Sequence, residues 1–166
     1  MTPPATSPDV PAIDEATTSG QIAAVRALMV EYQGSLGLDL EFQGFARELA
    51  MLPGDYAPPA GVLYLATVGG DPVGCIGVRP LSEGRCEMKR LFVRPAGRGH
   101  GLGRALAEAA IARARAIGYS RMLLDTLPMM GAAQAMYEGL GFVDIEPYRS
   151  NPIPGSRYLA LDLSSR

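Results

Sequence analysis

The sequence predicts a mixed α/β domain in which one sheet carries helices on both faces. Three observations carry that expectation. A helical period occupies the stretch before residue 61, a strand period with a hairpin signal follows it, and a glycine cluster then leads into an alanine-rich helix between two strands. Helices, hairpin, then strand, helix and strand is the order that a mixed sheet covered on both sides requires. With 166 residues, 48% of them hydrophobic, the chain suits a single core, expected over residues 12–166.

Pro3, Pro4, Pro8 and Pro11 make residues 1–11 an expected disordered arm. Ser19 is placed as the N-cap of a helix over 20–35, where Ile22, Val25, Met29 and Tyr32 recur at helical spacing. A second helix is expected over 41–51, with Phe42, Phe45 and Leu49 on one side and Pro53-Gly54 ending it. Asp39, Glu41, Glu48 and Asp55 read as its solvated face. Residues 62–68 and 73–79 flank the turn Gly69-Gly70-Asp71 and form a hairpin. A third strand spans 85–93, in which Cys86, Met88 and Phe92 alternate with Glu87, Leu91 and Val93. The helix behind the glycine cluster runs to Ile117 with Gly118 as C-cap, and Arg113, inside its apolar stripe, is expected to snorkel. Strands over 121–126, 141–145 and 158–163, with a short helix over 131–140, complete the order.

Composition removes whole classes of function. Fifteen Lys and Arg against 17 Asp and Glu give a net charge of −2, so the basic footprint of a nucleic-acid binder is missing. No basic and apolar leader opens the chain and no run approaches the ~18 apolar residues of a membrane span, so a cytoplasmic protein with no membrane partner is expected. Cys75 and Cys86 stand outside any C-x-x-C pattern, and a single histidine, His100, offers few further ligands, so no metal is expected. The same scarcity, with no G-x-S-x-G elbow, argues against a triad hydrolase.

The glycine cluster is the strongest chemical signal. Arg98-Gly99-His100-Gly101-Leu102-Gly103 lies between a strand and a helix, so unpaired backbone N–H groups converge where an anion is favoured. A flexible turn is the plainer alternative, but four alternate glycines flanked by Arg98 and Arg104 favour a phosphate cradle. The dinucleotide fingerprint fails, because Arg104 or Leu106 stands where Gly or Ala is needed. The P-loop fails too: the only lysine, Lys89, precedes the loop.

Arg98, Gly101 and Gly103, followed by Arg104-Ala105-Leu106, resemble motif A of the GCN5-related N-acetyltransferases, Q/R-x-x-G-x-G/A. Ala135-Met136-Tyr137-Glu138-Gly139-Leu140-Gly141-Phe142 is similar to that family's later A-x-x-x-Y-x-x-x-G-F segment. The resemblance runs from about Ile13 to Leu163. It implies a mostly antiparallel mixed sheet with a splayed central strand pair, and acetyl-coenzyme A as co-substrate. The pyrophosphate would rest on the N–H groups of Arg98, Gly99, His100, Gly101, Leu102, Gly103 and Arg104, and the pantetheine arm beside Leu91, Phe92 and Val93. Relatives often carry an asparagine after the strand that ends near Thr126; here Thr126 itself is the candidate for that contact.

Moving an acetyl group from a thioester to an amine needs a neutral amine, a donor for the carbonyl oxygen and a proton for the thiolate. The resemblance makes Glu87 the candidate base and Tyr137 the candidate acid, with the N–H of Leu91 or Phe92 at the carbonyl oxygen. For Glu87 a surface carboxylate paired with Arg85 or Lys89 stays open, and for Tyr137 a core aromatic beside Phe142. His100 reads as a phosphate neighbour. The acceptor is expected to be a small-molecule amine, less readily a protein amine, approaching past the N-terminal helices and the 148–156 loop. Arg149 is a candidate clamp for an acceptor carboxylate, and Tyr32, Tyr56 and Tyr148 are candidate walls. Homodimerisation stays open, as do a non-catalytic acyl-coenzyme A module and a nucleotide-binding regulatory domain.

Overall fold

The computed structural model describes residues 10–37, 40 and 44–164. Seven strands form one sheet: β1 (Pro11–Glu15), β2 (Val62–Val68), β3 (Asp71–Ser82), β4 (Arg85–Val93), β5 (Arg121–Thr126), β6 (Val143–Asp144) and β7 (Arg157–Asp162). Their spatial order is β1-β2-β3-β4-β5-β7-β6. Every neighbouring pair is antiparallel except β4 and β5, which run parallel because a helical crossover joins them. The mostly antiparallel mixed sheet matches the expectation.

Among the described residues four α-helices cover it: α1 (Ser19–Leu36), α2 (Phe45–Met51), α3 (Leu102–Ile117) and α4 (Gly131–Gly139). One core lies under α3 and α4, where Leu106, Ala110 and Tyr137 meet Ile76, Met88 and Leu124. The other lies under α1 and α2, where Val25, Leu28, Met29 and Phe45 meet Leu63, Leu65 and Cys75. The sheet is therefore buried on both sides, which explains why β2 and residues 73–78 of β3 read as near-continuous apolar runs.

Several local expectations are corrected. Thr18, not Ser19, caps α1, because only Thr18 has a glutamine three residues on. Its hydroxyl accepts from the Gln21 N–H at 3.1 Å while Gln21 Oε1 accepts from the Thr18 N–H at 3.0 Å. Pro11 belongs to β1 and not to an arm; as the first residue of an edge strand it gives up no ladder donor. The rest of the expected arm, apart from Val10, lies outside the described residues, as do Asp39, Glu41 and Phe42. Within them, α2 begins at Phe45. Glu48 is not on a solvated face: its side chain is 8% exposed and pairs with Arg90. Arg113 reaches out of the α3 stripe toward Glu15 of β1, 3.8 Å away.

The decisive irregularity is in β4. Arg90 has φ +62°, and between the pairs Gly77–Lys89 and Cys75–Phe92 two residues of β4, Arg90 and Leu91, stand opposite one of β3, Ile76. This bulge reverses the side-chain alternation. Cys86 and Met88 face the α3 core, but beyond the bulge Leu91 and Val93 do so while Phe92 joins the α1 side. The expected grouping of Phe92 with Cys86 and Met88 fails for that reason.

Candidate functional site

From Val93 the chain turns through a 3₁₀ turn at Pro95–Gly97 toward α3. Gly97 is packed so closely that a Cβ there would lie 2.8 Å from Val73. Gly99 and Gly101 adopt φ of +87° and +66°, a region that side-chain-bearing residues avoid. Gly101 is the N-cap of α3 and supplies no side-chain cap, and no acidic residue occupies the first turn. The leading N–H groups of the helix are thus left without an intrahelical acceptor, at the positive end of its dipole. A Cβ built on Gly99, Gly101 or Gly103 meets nothing within 4 Å, so the glycines leave open space above these amides. That cradle suits an anion, with Arg98, His100 and Arg104 exposed around it. Arg104 also pairs with Glu108 at 2.8 Å, and the Leu102 side chain is buried in the core, leaving only its backbone available.

Next to the cradle the sheet opens. β4 and β5 are paired only at Arg85–Arg121, Cys86–Met122 and Glu87–Leu123. Both strands continue beyond, so the edge of β4 that faces β5 has no ladder partner from that strand past Glu87. A cavity of about 70 Å³ fills the wedge, lined among others by Lys89, Leu91, Asp125, Thr126, Tyr32 and Tyr137. Tyr137 and Phe142 pack at 5.7 Å between ring centroids, and burial pushes the Tyr137 phenol well above its ordinary range. Tyr32 rises to about 12 for the same reason. Lys89 is 5% exposed, and burial, then Arg90, lower its amine to about 8 against the opposing pull of Glu87 and Asp125.

A buried ion network centres on Glu87 and Glu48. The Arg79 guanidinium donates to Glu87 Oε1 at 3.0 Å, the Tyr148 hydroxyl donates to Oε2 at 2.7 Å, and Arg149 pairs with the same oxygen. Glu87 is 0% exposed, so the surface alternative is overturned; its partners are Arg79 and Arg149, not Arg85. Burial raises its carboxyl, but Lys89, the Tyr148 hydrogen bond and the two arginines outweigh it and hold the group below the ordinary carboxylate range. Arg90 forks onto both oxygens of Glu48 at 2.9 Å and lies over the Phe45 ring. Asn151 donates to Asp125 at 3.2 Å, so three contacts staple the 148–156 loop to the sheet.

The structure gathers most of the sequence-derived candidates. Leu91, Thr126 and Tyr137 line the wedge, and Arg98 to Arg104 frame the cradle at the end of β4. Arg149 faces Glu87 and stacks on Tyr148, with its Nε buried and unpaired. Tyr56 is core, its ring over Gly77 and its hydroxyl donating to Glu48 at 3.0 Å. Sequence reasoning missed Arg79, Glu48 and Arg90, and passed over Lys89. The available signal was the run Glu87-Met88-Lys89-Arg90, three charges in four residues of a strand walled by apolar neighbours. A second cavity of about 310 Å³ opens between α2 and β3, lined by Arg47, Glu48, Asp55, Tyr56 and Arg79.

The model of the acetyltransferase (GNAT) family matches residues 25–142. An uncharacterised N-acetyltransferase of Schizosaccharomyces pombe is 42% identical over 84% of this chain and 86% of its own length. A GNAT-family acetyltransferase of Staphylococcus aureus superposes with a TM-score of 0.76 at 20% identity, covering 93% of this chain and 99% of that one. An acetyltransferase of Salmonella typhimurium solved with its cofactor acetyl-CoA does so with 0.64 at 19% identity, over 92% and 94%.

Proposed function

This chain belongs to the GNAT acetyltransferase family, and on that premise we propose that it moves an acetyl group from acetyl-coenzyme A directly onto the amine of a small molecule. The observation that carries the reading is the adjacency of two features along one stretch of chain. An uncapped, acid-free helix N-terminus with three open glycines follows, after one short turn and the glycine loop, on a strand whose free edge borders a wedge. A molecule with a pyrophosphate at one end and an amide-bearing arm at the other matches that order.

In this reading the amides from Arg98 to Arg104 hold the pyrophosphate and the edge of β4 from Leu91 to Val93 pairs with the arm. Thr126 closes the far side of the wedge, and the Tyr137 hydroxyl donates a hydrogen bond to the leaving sulfur. Glu87 enters as an anchor and not as the base: to act as a base it would have to abandon Arg79, Tyr148 and Arg149, all of which favour its ionised, bonded form. What it does is hold the 148–156 loop against the sheet. The cavity between α2 and β3, of small-ligand size, is the room that this reading assigns to a small-molecule acceptor.

A panel of small amines and peptides incubated with acetyl-coenzyme A, followed by free-thiol release and product mass, tests the proposal. Amine-dependent thiol release with an acetylated small product is expected. Acetylation of peptides alone would overturn the acceptor class, and binding without any transfer would favour a non-catalytic acyl-coenzyme A module.

A further inference from the structure

The chain has 15 basic residues, of which 14 are arginine; the single lysine, Lys89, stands inside the wedge. It follows the last β4–β5 pair by two residues and precedes the Arg90 bulge by one; ordinary alternation sets Lys89 on the face opposite Met88, and the bulge turns Arg90 to that same α1 and α2 side. Arg90 is committed to Glu48 and Phe45. Lys89 shares the cavity with Leu91, Thr126 and Tyr137, the residues that the family reading puts around the thioester. Arginine cannot release its proton in a protein, whereas a buried lysine can.

Resting on that reading and going past it, we propose that Lys89 is the proton carrier of the transfer, taking a proton from the acceptor ammonium and returning it to the departing thiolate. The step balances as follows. One proton passes from the ammonium to the neutral Lys89 amine, the C–N bond forms and the C–S bond breaks. Lys89 then gives its proton to the sulfur, and the second proton on the attacking nitrogen leaves to water. Lys89 ends neutral, and one proton is released for each amide made.

The neighbouring groups are less suited. Glu87 has both oxygens engaged. Tyr137, buried, holds its proton more tightly than an ordinary phenol, which suits it to donate a hydrogen bond to the sulfur more than to part with the proton. The groups acting on Lys89 are Glu87 and Arg90 on its own strand, Arg79 from β3 and Asp125 from β5. Tyr32 from α1 and Tyr137 from α4 share its cavity, while Glu48 of α2 and Tyr148 and Arg149 of the loop reach it through Arg90 and Glu87. Their balance leaves the amine at about 8, where both protonation states are populated near neutral pH.

Because Lys89 is the only lysine, protein labelled with carbon-13 at lysine Cε gives one side-chain resonance, and its titration reads this residue directly. A midpoint near 8 is expected, with kcat/KM of the wild type falling on the acid side of the same value. Lys89→Arg and Lys89→Met should bind acetyl-coenzyme A normally by calorimetry, lower kcat by roughly 10²-fold and lose that limb. A resonance titrating at the ordinary lysine value, wild-type kcat and pH profile in Lys89→Arg, or a stable acetyl amide on Lys89 would each overturn the proposal. The wild-type titration decides even where a variant does not fold. Absence of acetyl-coenzyme A binding by the wild type would instead overturn the reading on which the proposal rests.

Discussion

At the level of single residues, Lys89 and Glu87 occupy one face of β4 at spacing two and are perturbed in ways that affect stability as well as chemistry. The folded value of Lys89 lies below its unfolded one, so the folded chain binds fewer protons between about 8 and 10.5 and stability rises across that window. Below about 8 the cost of burying the ammonium is fully present, on the order of 3 kcal/mol for a shift of this size. Lys89→Met is therefore expected to stabilise the fold at pH 7 in urea unfolding, with the gain fading above pH ~10. A uniform loss of stability at both pH values would show that packing and charge partners outweigh desolvation. For Glu87 the sign is opposite. Its folded value is depressed, so its contribution is present above the unfolded carboxylate value and is lost as pH falls through the folded one. Glu87→Gln leaves Arg79, Arg149 and Tyr148 without their anion and is expected to cost roughly 3 kcal/mol at neutral pH. An unchanged denaturation midpoint would mean that the loop is held by Asn151 alone. Tyr137→Phe keeps the ring contact with Phe142 and removes only the donor, so kcat should fall about 10–100-fold at unchanged acetyl-coenzyme A affinity.

At the level of elements, the sequence made the strands and helices legible wherever period and punctuation agree. The bounds of β2, β4 and β5 match the expected ones, and α3 ends at Ile117 with Gly118 in the left-handed region, as a glycine C-cap requires. What stayed illegible depended on contacts distant in sequence. The bulge at Arg90 reverses the alternation of β4, and nothing local marks it, because a non-glycine residue at φ +62° is held there by Glu48, 42 residues away. β1 was hidden by proline, and the burial of Glu48 and Glu87 by arginines on other elements. The cradle was legible as a motif; the wedge was expected only through the family resemblance, since a failure of two strands to pair leaves no composition behind. α3 itself offers a test in which folding and binding separate. Gly103 has an ordinary φ and open space beyond it, so Gly103→Glu should fold normally yet lose acetyl-coenzyme A binding, because a carboxylate would take the pyrophosphate's place. Gly101→Glu should lose binding and also about 1 kcal/mol of stability to its left-handed backbone. Retained affinity in a folded Gly103→Glu protein, measured by calorimetry, would remove the phosphate from this loop.

At the level of the whole molecule, the sheet separates two cores, and the wedge between β4 and β5 interrupts it at its middle. The half containing β1 to β4 and the half containing β5 to β7 are joined at the paired end of that seam and by α3. A ligand lying along the β4 edge and anchored on the α3 N-terminus would bridge both halves, and being absent from the unfolded chain's reach it would stabilise the fold as a unit. At a concentration 100 times its dissociation constant such a ligand contributes about 2.7 kcal/mol. For a domain of this length 1 kcal/mol moves Tm by about 2–4 °C, so acetyl-coenzyme A is expected to raise Tm by about 5–10 °C. ATP and NADH carry phosphates that the cradle can touch, but the loop lacks both of their motifs and neither molecule has an arm to fill the wedge. Their shifts should stay well below that of acetyl-coenzyme A at equal concentration. Equal or larger shifts with ATP, measured in the same buffer and at the same ionic strength, would mean that the helix N-terminus is a general anion site and that the wedge contributes nothing to recognition.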